Sequence, residues 1–182
     1  MPDRLASLTD IEAAIWQELD RAIHGRGHAW RTAVLATVDG DAADARSVVL
    51  RDLDAAQRML LMYTDARSPK AQQLATHPQG MLVLWSAALG WQLRLRVALA
   101  LETTGLRVTS RWATLKLTPA AQDYLSPLPP GMALGTPPPP RQSRDHFAVL
   151  AAQVLSVDWL ELHPQGHRRA LFSADNAAWI TP

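Results

Sequence analysis

The stretch Trp91–Glu102 constrains the fold more than any other part of this chain. Apolar Trp91, Leu93, Leu95, Val97, Leu99 and Leu101 alternate with Gln92, Arg94 and Arg96. Successive side chains of a strand point to opposite faces, so a period of two predicts a strand with one apolar and one polar face. Such a strand needs partners, and candidates surround it. Thr32–Val38, Ala45–Leu53 and Arg58–Tyr63 are β-rich runs. The turn signal Asp39-Gly40-Asp41 separates the first two, and the three read as an antiparallel meander. Met81–Trp85 is apolar throughout, the pattern of a strand buried on both faces. Val149–Leu162 and Arg168–Ser173 read as a closing hairpin turning through His163-Pro164-Gln165-Gly166.

Three helices flank these runs. Thr9–His24 repeats Ile11, Ile15, Leu19 and Ile23 on one face, with Thr9 or Asp10 as cap and Gly25-Arg26-Gly27 as stop. Ser68-Pro69-Lys70 opens a short helix to about Thr76, serine at the cap and proline at the first helical position. Thr118-Pro119 opens another, ending near Leu125. Ser126–Arg141 is irregular and proline-rich, with Pro137–Pro140 as a polyproline II piece in a surface loop. About six strands at short spacing predict a mainly β chain, an antiparallel small barrel, because closure removes sticky edges. The length of 182 residues favours one domain over residues 1–182.

Composition excludes several functions. Lys and Arg number 18 against 17 Asp and Glu, a net charge of +1 that leaves no footprint for nucleic acid or an anionic membrane. No cysteine is present, which removes disulfides, zinc–thiolate sites, iron–sulfur clusters and thiol nucleophiles. This fits a cytoplasmic protein. Met1–Leu19 carries Asp3, Arg4, Asp10, Glu12 and Glu18 and has no apolar signal core. The uncharged stretch Met81–Leu93 is too short to span a bilayer. His163 and His167 have metal-like spacing, but a turn separates them and no carboxylate supports them, so no metal site is expected.

Three clusters combine into a site. Arg46-Ser47-Val48-Val49-Leu50-Arg51 is a strand bounded by arginines. Tyr63-Thr64-Asp65-Ala66-Arg67-Ser68-Pro69-Lys70 runs from a strand into a capped helix. Gln92 stands on the alternating strand. Thr64, Arg67, Ser68 and Lys70 gather hydroxyls and cations at a helix N-terminus, whose free N–H groups and partial positive charge suit a phosphate monoester. Arg46 can add a bidentate contact. The Gln92 amide, both donor and acceptor, can read the edge of a heterocycle.

The order R-x-V-(V/L)-L-(R/K), then YT, then S-x-K, then a strand glutamine resembles the flavin-binding pattern of the pyridoxamine 5′-phosphate oxidase family. The end of the chain is similar too: Val157-Asp158-Trp159-Leu160-Glu161-Leu162, then Gly166-His167-Arg168-Arg169-Ala170, then Trp179 to Pro182. The resemblance covers nearly everything from Arg31 onward and is closest to the oxidase-related FMN-binding proteins.

It implies a six-stranded split β-barrel, a homodimer with FMN between the subunits, and a role for each matching residue. Arg46, Thr64, Ser68 and Lys70 would hold the FMN phosphate. The backbone of Val48, Val49 and Leu50 would run beside the isoalloxazine, Gln92 would bond its edge, and Ser47, Arg51, Tyr63 and Arg67 complete the cofactor-binding set. Tyr124 and Arg168 are the candidate substrate contacts. The sequence departs from the oxidase where Pro69 replaces the arginine before the phosphate lysine, with Arg67 two residues earlier as a substitute. Arg51 replaces the lysine that closes the first motif. Leu128 and Met132 stand near positions of an arginine and a serine, and Ala170 replaces the histidine of the late Arg-x-His pair. The vitamin-phosphate pocket is thus largely dismantled. The expected function is an FMN-dependent oxidoreductase acting on a small molecule. The alternatives are an FMN-binding electron-transfer protein without turnover, a true pyridoxamine phosphate oxidase, and a barrel without flavin.

Overall fold

A computed structural model of the chain describes residues 4–133 and 144–182, so Pro137–Pro140 lies outside the described residues. Helix α1 (Leu8–His24) comes first. Its cap is Ser7, not Thr9 or Asp10: the Ser7 Oγ accepts from the Asp10 N–H at 3.0 Å. Ile11, Ile15, Leu19 and Ala22 are its buried residues, and Ile23 is only partly covered. A strict step of four drifts around a helix of 3.6 residues per turn, so the buried stripe returns by a step of three.

Strands β1 (Thr32–Asp39), β2 (Ala42–Asp54) and β3 (Met59–Asp65) form the expected meander. Helix α2 (Pro69–Thr76) follows, then β4 (Gln79–Ser86) and β5 (Trp91–Glu102). Helix α3 (Leu106–Leu115) and a 3-10 helix, Pro119–Tyr124, lead to β6 (Phe147–Glu161), β7 (Arg168–Ser173) and β8 (Ala177–Ile180).

All pairings are antiparallel, in the order β3-β2-β1-β4-β5-β6-β7-β8, and β3 also pairs with β6. That last pairing closes β1 to β6 into a six-stranded ring, the split-barrel arrangement, and β7 and β8 extend it. Strand β6 does two jobs. Phe147–Gln153 pairs with β3, and Ser156–Glu161 pairs with β7. Both halves lie along β5, whose register shifts between Arg96 and Val97. A bulge of this kind bends a strand, here where β6 changes its second partner.

The alternation on β5 is as read: Trp91, Leu93, Leu95, Val97 and Leu99 are buried. They pack inside the ring with Leu35, Leu50, Leu82 and Leu150. Each fully buried side chain of this size contributes about 1.5–3 kcal/mol. Trp91 stands edge-on to Trp159 at 5.3 Å between centroids and 6.4 Å from Trp30. A second, smaller core lies outside β3 and β6, where Leu61, Phe147 and Val149 meet Val108 and Leu115 of α3.

Strand β4 corrects an expectation. Leu82 and Leu84 are buried, but Met81 and Val83 are only half-covered and Trp85 is 46% exposed. The outward side chains are apolar although nothing in the described chain covers them. Val34 of β1, 43% exposed, lies directly opposite Val83 and extends this strip.

Candidate functional site

Strand β2 brings Arg46 to one end of the ring, on the face shared by Val48 and Leu50. There its guanidinium is held from four sides. Nη1 donates to Thr37 Oγ1 at 2.5 Å and to the Leu35 carbonyl at 3.3 Å. Nη2 donates to Gln73 Oε1 at 3.1 Å and to Asp44, with which it forms an ion pair. Thr37 donates to Gln73 Oε1 at 2.6 Å, and Gln73 Nε2 donates to Asp44 at 2.8 Å.

The end of β3 and the start of α2 supply the hydroxyls. Ser68 is the cap residue of α2 with Pro69 after it, as expected, but its side chain makes no capping bond. Its hydroxyl lies 3.2 Å from the Thr64 hydroxyl, and both residues are buried. Lys70 follows in the first helical turn, half-buried. Among the described residues no hydrogen bond or ion pair engages its ammonium. Burial, and then the Arg46 guanidinium, push its pKa below the usual lysine value against smaller pulls from Asp65 and Asp44. A desolvated cation facing another cation is costly unless an anion joins them.

Arg67 is placed otherwise. Its guanidinium chelates Asp65 at 2.7 and 3.0 Å. It also donates to the Ser126, Pro127 and Leu128 carbonyls at 2.9, 2.9 and 3.3 Å. These bonds fasten the loop after the 3-10 helix and occupy the side chain that would have replaced the arginine missing at Pro69.

Arg51 sits where the β2–β3 register shifts between Leu50 and Asp52. The bulge turns it towards Tyr63, with its guanidinium carbon 5.7 Å from the ring centroid. Burial before all else pushes the Tyr124 phenol up, and the neighbouring Arg51 guanidinium pulls it back in part. The Arg51 Nε is buried without a partner. Tyr63, Tyr124 and Phe147 form an edge-to-face trio with centroids 5.2–6.3 Å apart. Arg51, Tyr63 and Tyr124 are therefore brought together.

Gln92 is half-buried on the outer face. The registers place Trp85, Gln92, Leu160 and Arg169 abreast across β4, β5, β6 and β7. Arg168 is elsewhere: it pairs with Glu161 at 2.8 and 3.0 Å and donates to the Leu5 carbonyl at 2.7 Å. Sequence reasoning missed Thr37, Asp44 and Gln73. Two signals were available: Asp44 shares a strand face with Arg46, and Gln73 lies one helical turn from Lys70. Among the described residues no metal-ligating cluster occurs, and no helix is long and apolar enough to cross a membrane.

The closed ring of antiparallel strands with its flanking helices defines a split-barrel fold. Residues 13–102 match the family model described as pyridoxamine 5′-phosphate oxidase, FMN-binding domain. The chain is 27% identical over 163 residues to a pyridoxine/pyridoxamine 5′-phosphate oxidase of Caulobacter vibrioides, covering 81% of this chain and 72% of that protein. A pyridoxamine 5′-phosphate oxidase-related, FMN-binding protein from Nostoc punctiforme superposes with a TM-score of 0.77 at 25% identity, covering 98% of both chains. PhzG from Burkholderia lata, solved with tetrahydrophenazine-1-carboxylic acid, shares the fold with a TM-score of 0.76 at 16% identity, covering 99% of this chain and 98% of that one.

Proposed function

We propose that the protein binds FMN as a homodimer and acts as a flavin-dependent oxidoreductase on a small molecule. The observation that carries this reading is Lys70: a half-buried ammonium without a partner among the described residues, near Arg46, at the N-terminus of α2 whose cap carries two buried hydroxyls. That donor set fits a phosphate monoester. The family match of residues 13–102 supports FMN as its bearer.

In this reading Lys70, Ser68 and Thr64 bind the phosphate directly, and Arg46 joins them through the exposed part of its fork. The β2 backbone from Ser47 to Leu50 runs beside the ring system, and Gln92 bonds its edge. FMN, when bound, supplies the redox chemistry. The chain positions it, with Arg51 and Tyr124 as the polar groups available to a substrate. Arg168 holds the last hairpin to the N-terminal segment. The departures at Pro69, Arg51 and Ala170 speak against pyridoxine phosphate as substrate. Reduction of the bound flavin by NADH or NADPH, followed by reoxidation with oxygen, distinguishes an enzyme from an electron carrier.

Titration of FMN and riboflavin into wild-type and Lys70→Ala protein tests the site. Loss of one charge-assisted contact should weaken FMN about ten- to a hundredfold. Riboflavin, which lacks the phosphate, should be nearly unaffected. Equal losses for both flavins, or none, would remove the phosphate site from α2.

A further inference from the structure

We infer that Asp44 is a positioning residue of the phosphate site, acting through Arg46: its carboxylate holds the part of the arginine fork that an incoming phosphate would take. This rests on the proposed phosphate reading of Lys70 and Arg46. A guanidinium has five N–H donors. Four are committed here, to Leu35, Thr37, Gln73 and Asp44. Thr37 and Gln73 are buried, and the Leu35 carbonyl belongs to β1. Asp44 differs from all three, because it is the anion of the set and its side chain is 40% exposed. It is the acceptor that a second anion can displace without opening the buried network. Gln73 also donates to Asp44, which keeps the carboxylate aimed at the fork.

The charge arithmetic points the same way. Without ligand, Asp44 offsets the repulsion between Arg46 and Lys70, and its pull is felt at both. With a phosphate in place, Asp44 becomes a like charge beside a dianion. It therefore stabilises the empty site and opposes the filled one. Of two flavins that differ in the phosphate alone, its charge acts against the phosphorylated one.

The test is Asp44→Asn in the full chain, an isostere that keeps a carbonyl for Arg46 and drops the charge. FMN, riboflavin and inorganic phosphate as competitor are titrated by flavin fluorescence. FMN affinity should rise about two- to fivefold, the range of an exposed ion pair. The gain should fade at high ionic strength. Riboflavin should be unchanged, which also reports an intact fold, and inorganic phosphate should compete better than in the wild type. Weaker FMN binding would make Asp44 a structural support of Arg46 and overturn the inference, as would equal shifts for both flavins or no change. If Lys70→Ala is FMN-selective while Asp44→Asn is silent, the phosphate site stands and the role of Asp44 falls. If the wild type binds neither flavin, both readings fall.

Discussion

Glu161 gathers more polar contacts than its position at the end of β6 would suggest. Arg4 donates to it at 2.6 Å, Arg168 at 2.8 and 3.0 Å, and Trp91 Nε1 at 3.4 Å. Burial alone would raise its pKa. The hydrogen bonds from Arg168 and Arg4 more than offset this and hold it below the ordinary 4.5. A carboxyl depressed by folding adds stability that is present above its unfolded pKa and lost as pH falls through the folded one. Glu161→Gln should therefore cost about 1–3 kcal/mol at neutral pH. The deficit against wild type should shrink as the pH drops below 4.5, and denaturant unfolding at several pH values measures it. At this scale the sequence was informative about residue types and silent about partners. Arg67 and Lys70 looked alike as cations near a helix start. The structure commits Arg67 to Asp65 and three carbonyls and gives Lys70 no partner among the described residues, and only the fold of the Ser126–Leu128 segment decides between them.

The elements that could be read in the sequence are those whose periodicity one side of the chain dictates. Strand β5 announced itself because one face is core and the other polar. Strand β4 was legible as a strand but not in which face is exposed, because its outward residues are apolar too. Helix α3 and strand β8 are among the elements the sequence does not show. Helix α3 starts at Gly105, which has no side chain to cap with, and β8 has only four residues. Gly80 in β4 also carried no visible signal, yet its backbone runs so close to β1 that a Cβ there would lie 2.8 Å from the Ala36 carbonyl oxygen. It would also lie 2.9 Å from Leu99 Cδ1. Gly80→Ala should therefore destabilise the ring by about 1–3 kcal/mol, the cost of overpacking, seen as a lower midpoint in thermal unfolding.

Across the whole molecule, the outer strip of Val34, Val38, Val83 and Trp85 is the apolar surface that a second copy would cover in the proposed dimer. Val34→Arg would place a charge there without touching the core. The variant should run as a monomer in light scattering at micromolar concentration, and it should lose flavin as well if the ligand sits between subunits. A dimer that survives the change would put the interface elsewhere. The double role of β6 has a consequence for synthesis. As the chain leaves the ribosome, β1 to β5 can pair into an open sheet, but β3 and β5 each keep a bare edge until Phe147 and the residues after it arrive. One late strand then seals both edges at once, joining Met59 to Gln153 and Leu99 to Ala152. Such distant pairings form slowly, and bare edges recruit foreign strands. A nascent chain stalled before β6 is therefore not a smaller barrel but a sheet with two adhesive margins, a natural client for a chaperone.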